Sequence, residues 1–298
     1  MEGKVPILLL AFNRPQIVQK AIEPIREYQP SKLYLACDGA RSNIIGEDKL
    51  VVATQNVMLQ AVSWPCKVKT LFREKNKGCA QAVYEAITWF LENEEYGIII
   101  EDDVAVGPDF FKLCEDLLPR YAREERIMEI SAENHSFRND INNSYVYSHN
   151  FLCWGWATWR RAWRKMDMEM KAAPKLSSGY LIKRLGLFRG LMMKRYFMYG
   201  FKHLDSFNSW ATRWYLSILG YDGLVISPGV NLAVNIGFKE GTHYGGKEAH
   251  PYAELKIGGI EWPLVYNDNL KPDMVQKTYD SKEFLRIKML GLRKRLGL

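Results

Sequence analysis

Tyr96-Gly97-Ile98-Ile99-Ile100-Glu101-Asp102-Asp103 is the stretch on which the fold turns. Gly97–Ile100 is a short, uncharged apolar run, which reads as a buried strand. It passes straight into three adjacent carboxylates, which repel one another unless a cation sits among them. Oxygen ligands of this kind suit Mg²⁺ or Mn²⁺, ions that bridge one or two carboxylates to substrate phosphates. The plainer alternative is an acidic turn ahead of the helix that Pro108 opens, where negative charge complements the helix dipole. A position at the tip of a strand in an α/β half favours the metal.

The α/β half is read outward from that strand. Val5–Ala11 is an apolar run closed by Asn13-Arg14-Pro15, and Pro15 begins a helix with Ile17, Val18, Ala21, Ile22 and Ile25 on its apolar face. Lys32–Cys37 reads as a strand ending at Asp38-Gly39, Asp48–Ser63 as a helix, and Cys66–Phe72 as a strand. Cys79–Asn93 reads as a helix with Ala80, Val83, Ile87 and Leu91 on one face. Beyond the acidic tip come a helix over Pro108–Leu118 and a strand over Ile127–Ser131. Strands alternating with helices of this length predict βαβ units, hence an α/β fold with a mostly parallel sheet flanked by helices. Ligands bind such sheets beyond the carboxyl ends of the strands. That rule selects Ala11–Arg14, Asp38–Arg41, Arg73–Gly78 and Glu101–Asp103.

The remainder is different in character. It carries Trp154, Trp156, Trp159, Trp163, Trp210 and Trp214, and turn-dense sequence follows from Gly237 to Pro263. No repeat, low-complexity tract or clear linker divides the chain. The economical reading is one continuous fold: a nucleotide half over 1–135, an acceptor half over 136–281, and a basic amphipathic tail over 282–298.

The 298 residues, 47% hydrophobic and 25% charged, are ordinary for a soluble globular protein and enough for a substantial core. This excludes wholesale disorder and a polytopic membrane protein. Five cysteines with no CxxC pair indicate neither a disulfide framework nor a zinc module, so a reducing, cytoplasmic location is expected. The N-terminal apolar run reads as a strand and not a signal peptide. The net charge of +7 is unevenly spread: Arg160–Lys202 carries +10, Lys282–Leu298 carries +5, and the rest is negative. Both basic segments interleave bulky apolar residues, as in Leu285, Met289, Leu292 and Leu296, which is the pattern of adhesion to an anionic membrane surface. The alternative for the tail is a helix that packs this stripe on its own protein. Nucleic-acid binding is disfavoured by the negative body.

Several segments together resemble the GT-A glycosyltransferases, whose fold is Rossmann-like. Glu101-Asp102-Asp103-Val104 with Gly107-Pro108-Asp109-Phe110-Phe111 resembles their acidic metal motif and the segment after it. Pro6–Pro15 resembles their nucleotide-binding first strand and turn, Cys37-Asp38-Gly39 the second nucleoside contact, and Ile127–Ala132 the strand after the metal site. Trp154-Gly155-Trp156-Ala157-Thr158-Trp159, Asn208-Ser209-Trp210 and Asn231–Gly237 look like a bacterial sugar-transferase group similar to the eukaryotic enzyme that adds the first branching N-acetylglucosamine to N-glycans. The resemblance covers roughly residues 5–245.

It implies a metal-dependent, inverting transfer from a nucleoside-diphosphate sugar, with uridine as the base. The acceptor would be a glycan or lipid-linked glycan in surface polysaccharide or glycoprotein synthesis, which places the enzyme at the inner face of a membrane. Asp103 would hold Mn²⁺ or Mg²⁺, while Asp102 and Glu101 orient ribose and donor sugar. Ala11, Phe12, Asn13, Arg14 and Asp38 would flank the nucleoside, and Arg73, Asn76 and Gly78 would meet phosphate. For Asn13, Asn76 and Gly78, ordinary turn chemistry is the alternative. Gly155 would let a sugar approach closely while the aromatic faces of Trp154 and Trp156 shape the acceptor floor, against the alternative of core packing.

Inversion needs a general base near the acceptor hydroxyl. The group carries an acid beside its Ser-Trp pair, where this chain has Asn208 and Ala211. Asp205 is the first candidate, with helix N-capping as its alternative because Ser206–Leu219 reads as a helix. Glu240 is the second, and His243 is a candidate metal ligand or diphosphate contact. Two other readings stay open: a sugar nucleotidyltransferase, whose usual GxGxR loop is absent, and a glycan-binding protein that has lost catalysis.

Overall fold

The computed structural model describes residues 4–136, 138, 140, 143–238 and 252–296. The first half alternates as its sequence predicts: β1 (Ile7–Ala11), α1 (Pro15–Ala21), α2 (Glu23–Tyr28), β2 (Lys32–Cys37), α3 (Glu47–Gln60), β3 (Lys67–Phe72), α4 (Cys79–Asn93), β4 (Tyr96–Glu101), β5 (Val104–Val106), α5 (Pro108–Arg120) and β6 (Ile127–Ser131). Then come β7 (Tyr145–Ser148), β8 (Trp156–Trp159), the short helices α6 (Arg160–Trp163) and α7 (Ala172–Lys175), and α8 (Ser178–Leu185). The last elements are α9 (Leu187–Lys202), α10 (Trp210–Gly220), β9 (Leu224–Pro228), β10 (Ala233–Asn235) and α11 (Met274–Leu296).

An eight-stranded sheet in the order β3-β2-β1-β4-β8-β6-β9-β7 forms the centre. β3, β2, β1 and β4 are parallel, as are β6 and β9, while β8 and the edge strand β7 run against their neighbours. The architecture is therefore α/β, with a large, mostly parallel mixed sheet flanked by helices. β8 of the second half inserts between β4 and β6 of the first, so the described residues of both halves contribute to one sheet and one core. Several boundaries shift by one to three residues from the sequence reading, and two by more. α10 starts at Trp210, not Ser206, because Ser209 caps it by accepting from Thr212 N (3.2 Å) and a turn precedes it. The tail is part of a longer helix that begins at Met274, eight positions before Lys282.

The chain leaves β1 toward β2 and β3, then returns to the other side of β1 as β4. Such a reversal opens a crevice at the carboxyl ends of the two strands involved. A second, two-stranded sheet of β5 and β10 closes one side of it, and Ile236 N donates to the Asp103 carbonyl (2.7 Å).

Deep in the sheet, the fully buried Glu129 of β6 accepts from Trp214 Nε1 (3.2 Å), while its Oε1 has no partner among the described residues. Burial holds this carboxyl well above the usual range. An acid that stays protonated in the fold but ionises once unfolded stabilises the fold below its ordinary pKa, and loses that contribution as pH rises toward the folded value. Glu129→Gln is expected to flatten the fall in melting temperature as pH rises above the ordinary glutamate pKa of about 4.3, read by thermal unfolding of both proteins over a pH series.

Candidate active site

The crevice holds a cavity of about 820 Å³ lined by all four strand tips that the sequence selects. Its floor is apolar, from Leu10, Ala36 and the Ala82, Val83 and Ala86 face of α4. Around it stand Asp38, Glu101, Asp102 and Asp103 and three guanidinium groups, Arg14, Arg41 and Arg73. Ala11, Phe12, Asn13, Asn76, Gly78 and Trp154 also line it. Twelve of the predicted site residues are thus brought together.

Their local chemistry differs from the expectation in several places. The cation at the acidic tip is Arg14: its guanidinium pairs with Asp102 and, at 3.2 Å, with Asp103. Burial works against the Arg14 charge, but the two aspartates outweigh it and raise its pKa. Asp102 also accepts from Phe12 N (3.3 Å), and burial pushes its carboxyl up to about 6. Burial, with Asp103 and Asp102 adding repulsion, pushes Glu101 up to about 8. Asn13 turns away, donating to Glu47 Oε1 (2.8 Å), and Glu47 in turn receives Arg41 N (2.7 Å). That pairing holds the Arg41 guanidinium over the Phe12 ring, 5.6 Å from its centroid.

Asp38 is a structural clamp at the tip of β2. It accepts from the backbone N–H of Gly39 (3.0 Å), Lys77 (3.0 Å) and Gly78 (3.2 Å), and from Asn76 Nδ2 (3.0 Å). The backbone of this loop before α4 therefore faces Asp38, and Asn76 performs turn chemistry. Asn208 Oδ1 accepts from Ala80 N (2.8 Å), so the α4 N-terminus is capped from across the cavity. A Cβ on Gly39 would lie 2.4 Å from the Lys75 carbonyl carbon. Gly39→Ala must push the Lys75–Gly78 loop off β2, and a loss of about 1–3 kcal/mol is expected in denaturant unfolding.

Three predicted residues fall elsewhere. Trp156 is fully buried and stacks on Trp210 (5.6 Å, 16°), so it belongs to the core and not to an acceptor floor. Gly155, at φ +71°, is required by protein packing: a Cβ there would lie 2.5 Å from Val106 Cγ1, so it is β5 and not a sugar that approaches it. Asp205 is exposed in the turn between α9 and α10, does not line the cavity, and does not cap α10. Glu240 and His243 lie outside the described residues.

Arg41, Asn208, Asn235, Gly237, Phe238 and the α4 face line the cavity without having been chosen as ligands. Arg41, Asn208, Asn235 and Gly237 fell within segments the sequence had marked. Glu47 carried no signal, because its partner Asn13 is 34 positions away.

Among the described residues no three His, Cys, Asp or Glu side chains converge as a metal-ligating group. Asp103 is half-buried, with Asp102 beside it. One or two carboxylates completed by phosphate oxygens is how Mg²⁺ is usually held, so this donor set fits an ion shared with a bound diphosphate and not a protein cage.

No family model and no curated protein matches the chain. Among solved structures, HddC from Yersinia pseudotuberculosis is 11% identical with a TM-score of 0.32, covering 53% of this chain and 77% of that one.

Proposed function

We propose that the chain is a glycosyltransferase of the GT-A type, which moves a sugar from a nucleoside diphosphate, with uridine as the base, to a glycan or lipid-linked glycan. The observation that carries this reading is the gathering of an acidic strand tip, three guanidinium groups and an apolar floor in one cavity at the β1–β4 crevice. A planar base suits the apolar floor and the Phe12–Arg41 pair, and a diphosphate suits the guanidinium groups. A divalent ion, Mn²⁺ or Mg²⁺, when bound, neutralises charge on the departing diphosphate. Asp103 and Asp102 would hold it. A diphosphate also gives Arg14 an anionic partner other than the two aspartates. The Asp38 clamp keeps the Arg73–Gly78 loop at the cavity wall, and Trp154 lines the acceptor side, its N–H held by Glu133.

A second reading is favoured by the state of the cavity's carboxylates. Asp38 is held by backbone N–H groups, Asp102 and Asp103 by Arg14, and burial pushes the Glu101 carboxyl up to about 8. A glycan-binding protein without catalysis fits a cavity in which Asp38, Asp102 and Asp103 are each engaged by the protein's own donors. Assay of nucleotide-sugar hydrolysis and transfer over a donor panel with Mn²⁺ separates the two. Turnover of one uridine-linked sugar supports transfer. Binding with no turnover of any donor supports the second reading, and the absence of both removes the proposal. Asp205→Asn is expected to leave turnover unchanged in the same assay, since its side chain is off the cavity.

A further inference from the structure

The basic middle segment is not one charged patch. Arg160 donates to the carbonyls of Leu91 and Glu94, and Arg161 to those of Tyr121, Ala122 and Ile127. Arg184 pairs with Asp222, Arg189 with Asn150, and Lys194 caps the carbonyls of Ala173 and Leu176. These cations hold the fold together.

The exposed cations are spread, with Arg164, Lys171, Lys175 and Lys183 lying before α9 and Arg195 and Lys202 on it, but the exposed apolar side chains of the segment are concentrated on α9. Its exposed apolar side chains are Leu187 (66%), Phe188 (43%), Leu191 (45%), Tyr196 (45%) and Tyr199 (54%). Arg195 and Lys202 are exposed on the same arc, since positions 187, 188, 191, 195, 199 and 202 share one side at helical spacing. Residues 187–202 contain no acid. A surface helix ordinarily turns its polar side to water; here the inner side holds Met193, Phe197 and two close-packed glycines, and the outer side is apolar and aromatic around two cations. α11 lies across the start of α9, with Ser281 against Gly186 and Phe284 under the Arg189 guanidinium (5.5 Å). It adds exposed Leu285 and Met289, so the described part of the tail stripe is not packed on its own protein. Leu292 and Leu296 lie outside the described side chains. No helix among the described residues is long and apolar enough to cross a membrane.

We infer that the outer face of α9 docks on an anionic lipid surface, lying in the headgroup layer. Leucine and phenylalanine side chains enter the acyl boundary, tyrosine rings sit at headgroup level, and Arg195 and Lys202 reach the lipid phosphates along their apolar stems. The chain passes from Lys202 through one turn to Asn208 in the cavity wall, so docking holds the cavity close to the membrane. This inference stands on the α9 face and does not depend on the reaction proposed for the cavity.

The test is co-sedimentation of the full chain with vesicles of phosphatidylcholine containing phosphatidylglycerol, against phosphatidylcholine alone. Binding to the anionic vesicles at low salt, release as salt rises, and little binding to neutral vesicles are expected. Arg195→Gln and Lys202→Gln should each weaken partitioning roughly fivefold, and Phe188→Glu with Leu191→Glu by roughly tenfold or more. All of these side chains are exposed, so melting temperatures should not move. Equal partitioning of wild type and the Phe188→Glu, Leu191→Glu double variant would overturn the inference, as would an intact chain that ignores anionic vesicles at low salt. A dimer in sedimentation equilibrium that the double variant dissociates would assign the face to a second copy of the chain and equally overturn it.

Discussion

Asp103→Ala is expected to lower turnover of a nucleoside-diphosphate sugar by about 10³-fold, the scale on which one electrostatic stabiliser of a transition state acts. The fold should be unharmed. Asp103 is half-buried at a strand tip, and its charge raises the pKa of both Glu101 and Asp102. Removing it relieves that repulsion and leaves Arg14 its partner in Asp102. A melting temperature at or above that of wild type, together with lost turnover, separates a catalytic carboxylate from a structural one. Wild-type turnover in the variant would show that the acidic tip serves Arg14 and not a substrate.

Trp156→Ala is expected to cost about 3–5 kcal/mol of stability, the range for removing a fully buried large aromatic. The indole stacks on Trp210 and lies within 6.1 Å of Trp163 and 6.2 Å of Trp214. Its deletion opens a void among rings that cannot collapse around it. Trp156→Phe should recover most of the loss in denaturant unfolding. Trp154→Ala, two positions away on the cavity wall, should change ligand affinity far more than stability. If Trp156→Ala unfolds like wild type and loses only substrate affinity, its place in the core is wrong.

The contrast between these tryptophans shows where sequence reading reaches its limit. β2, α4 and β6 were legible to the residue, because hydrophobic period and punctuation by Asp38-Gly39 or Gly78 coincide with their ends. The strand tips followed from one topological rule, and all four face the cavity. Trp154 and Trp156 look alike in sequence, yet Gly155 separates a cavity wall from a core strand through a positive φ that no pattern announces. Arg14 was legible as a tip residue, but not as the cation on Asp102 and Asp103, because that pairing depends on how β1 and β4 come to lie side by side. The twelve basic residues of 160–202 read as one patch because sequence charge does not distinguish a guanidinium capping buried carbonyls, such as Arg161, from one facing solvent, such as Arg195.

The central claim is that the β1–β4 crevice binds a nucleoside diphosphate together with a divalent ion. Calorimetric titration of UDP into the protein, with Mn²⁺ and then with EDTA, tests it most directly. Saturable binding is predicted in Mn²⁺, clearly weakened in EDTA and in Asp103→Ala, with apparent stability raised by about 2.7 kcal/mol at a hundredfold excess over the dissociation constant. Heats no larger than dilution for UDP and for other nucleoside diphosphates in Mn²⁺, from a protein that melts cooperatively, would contradict it.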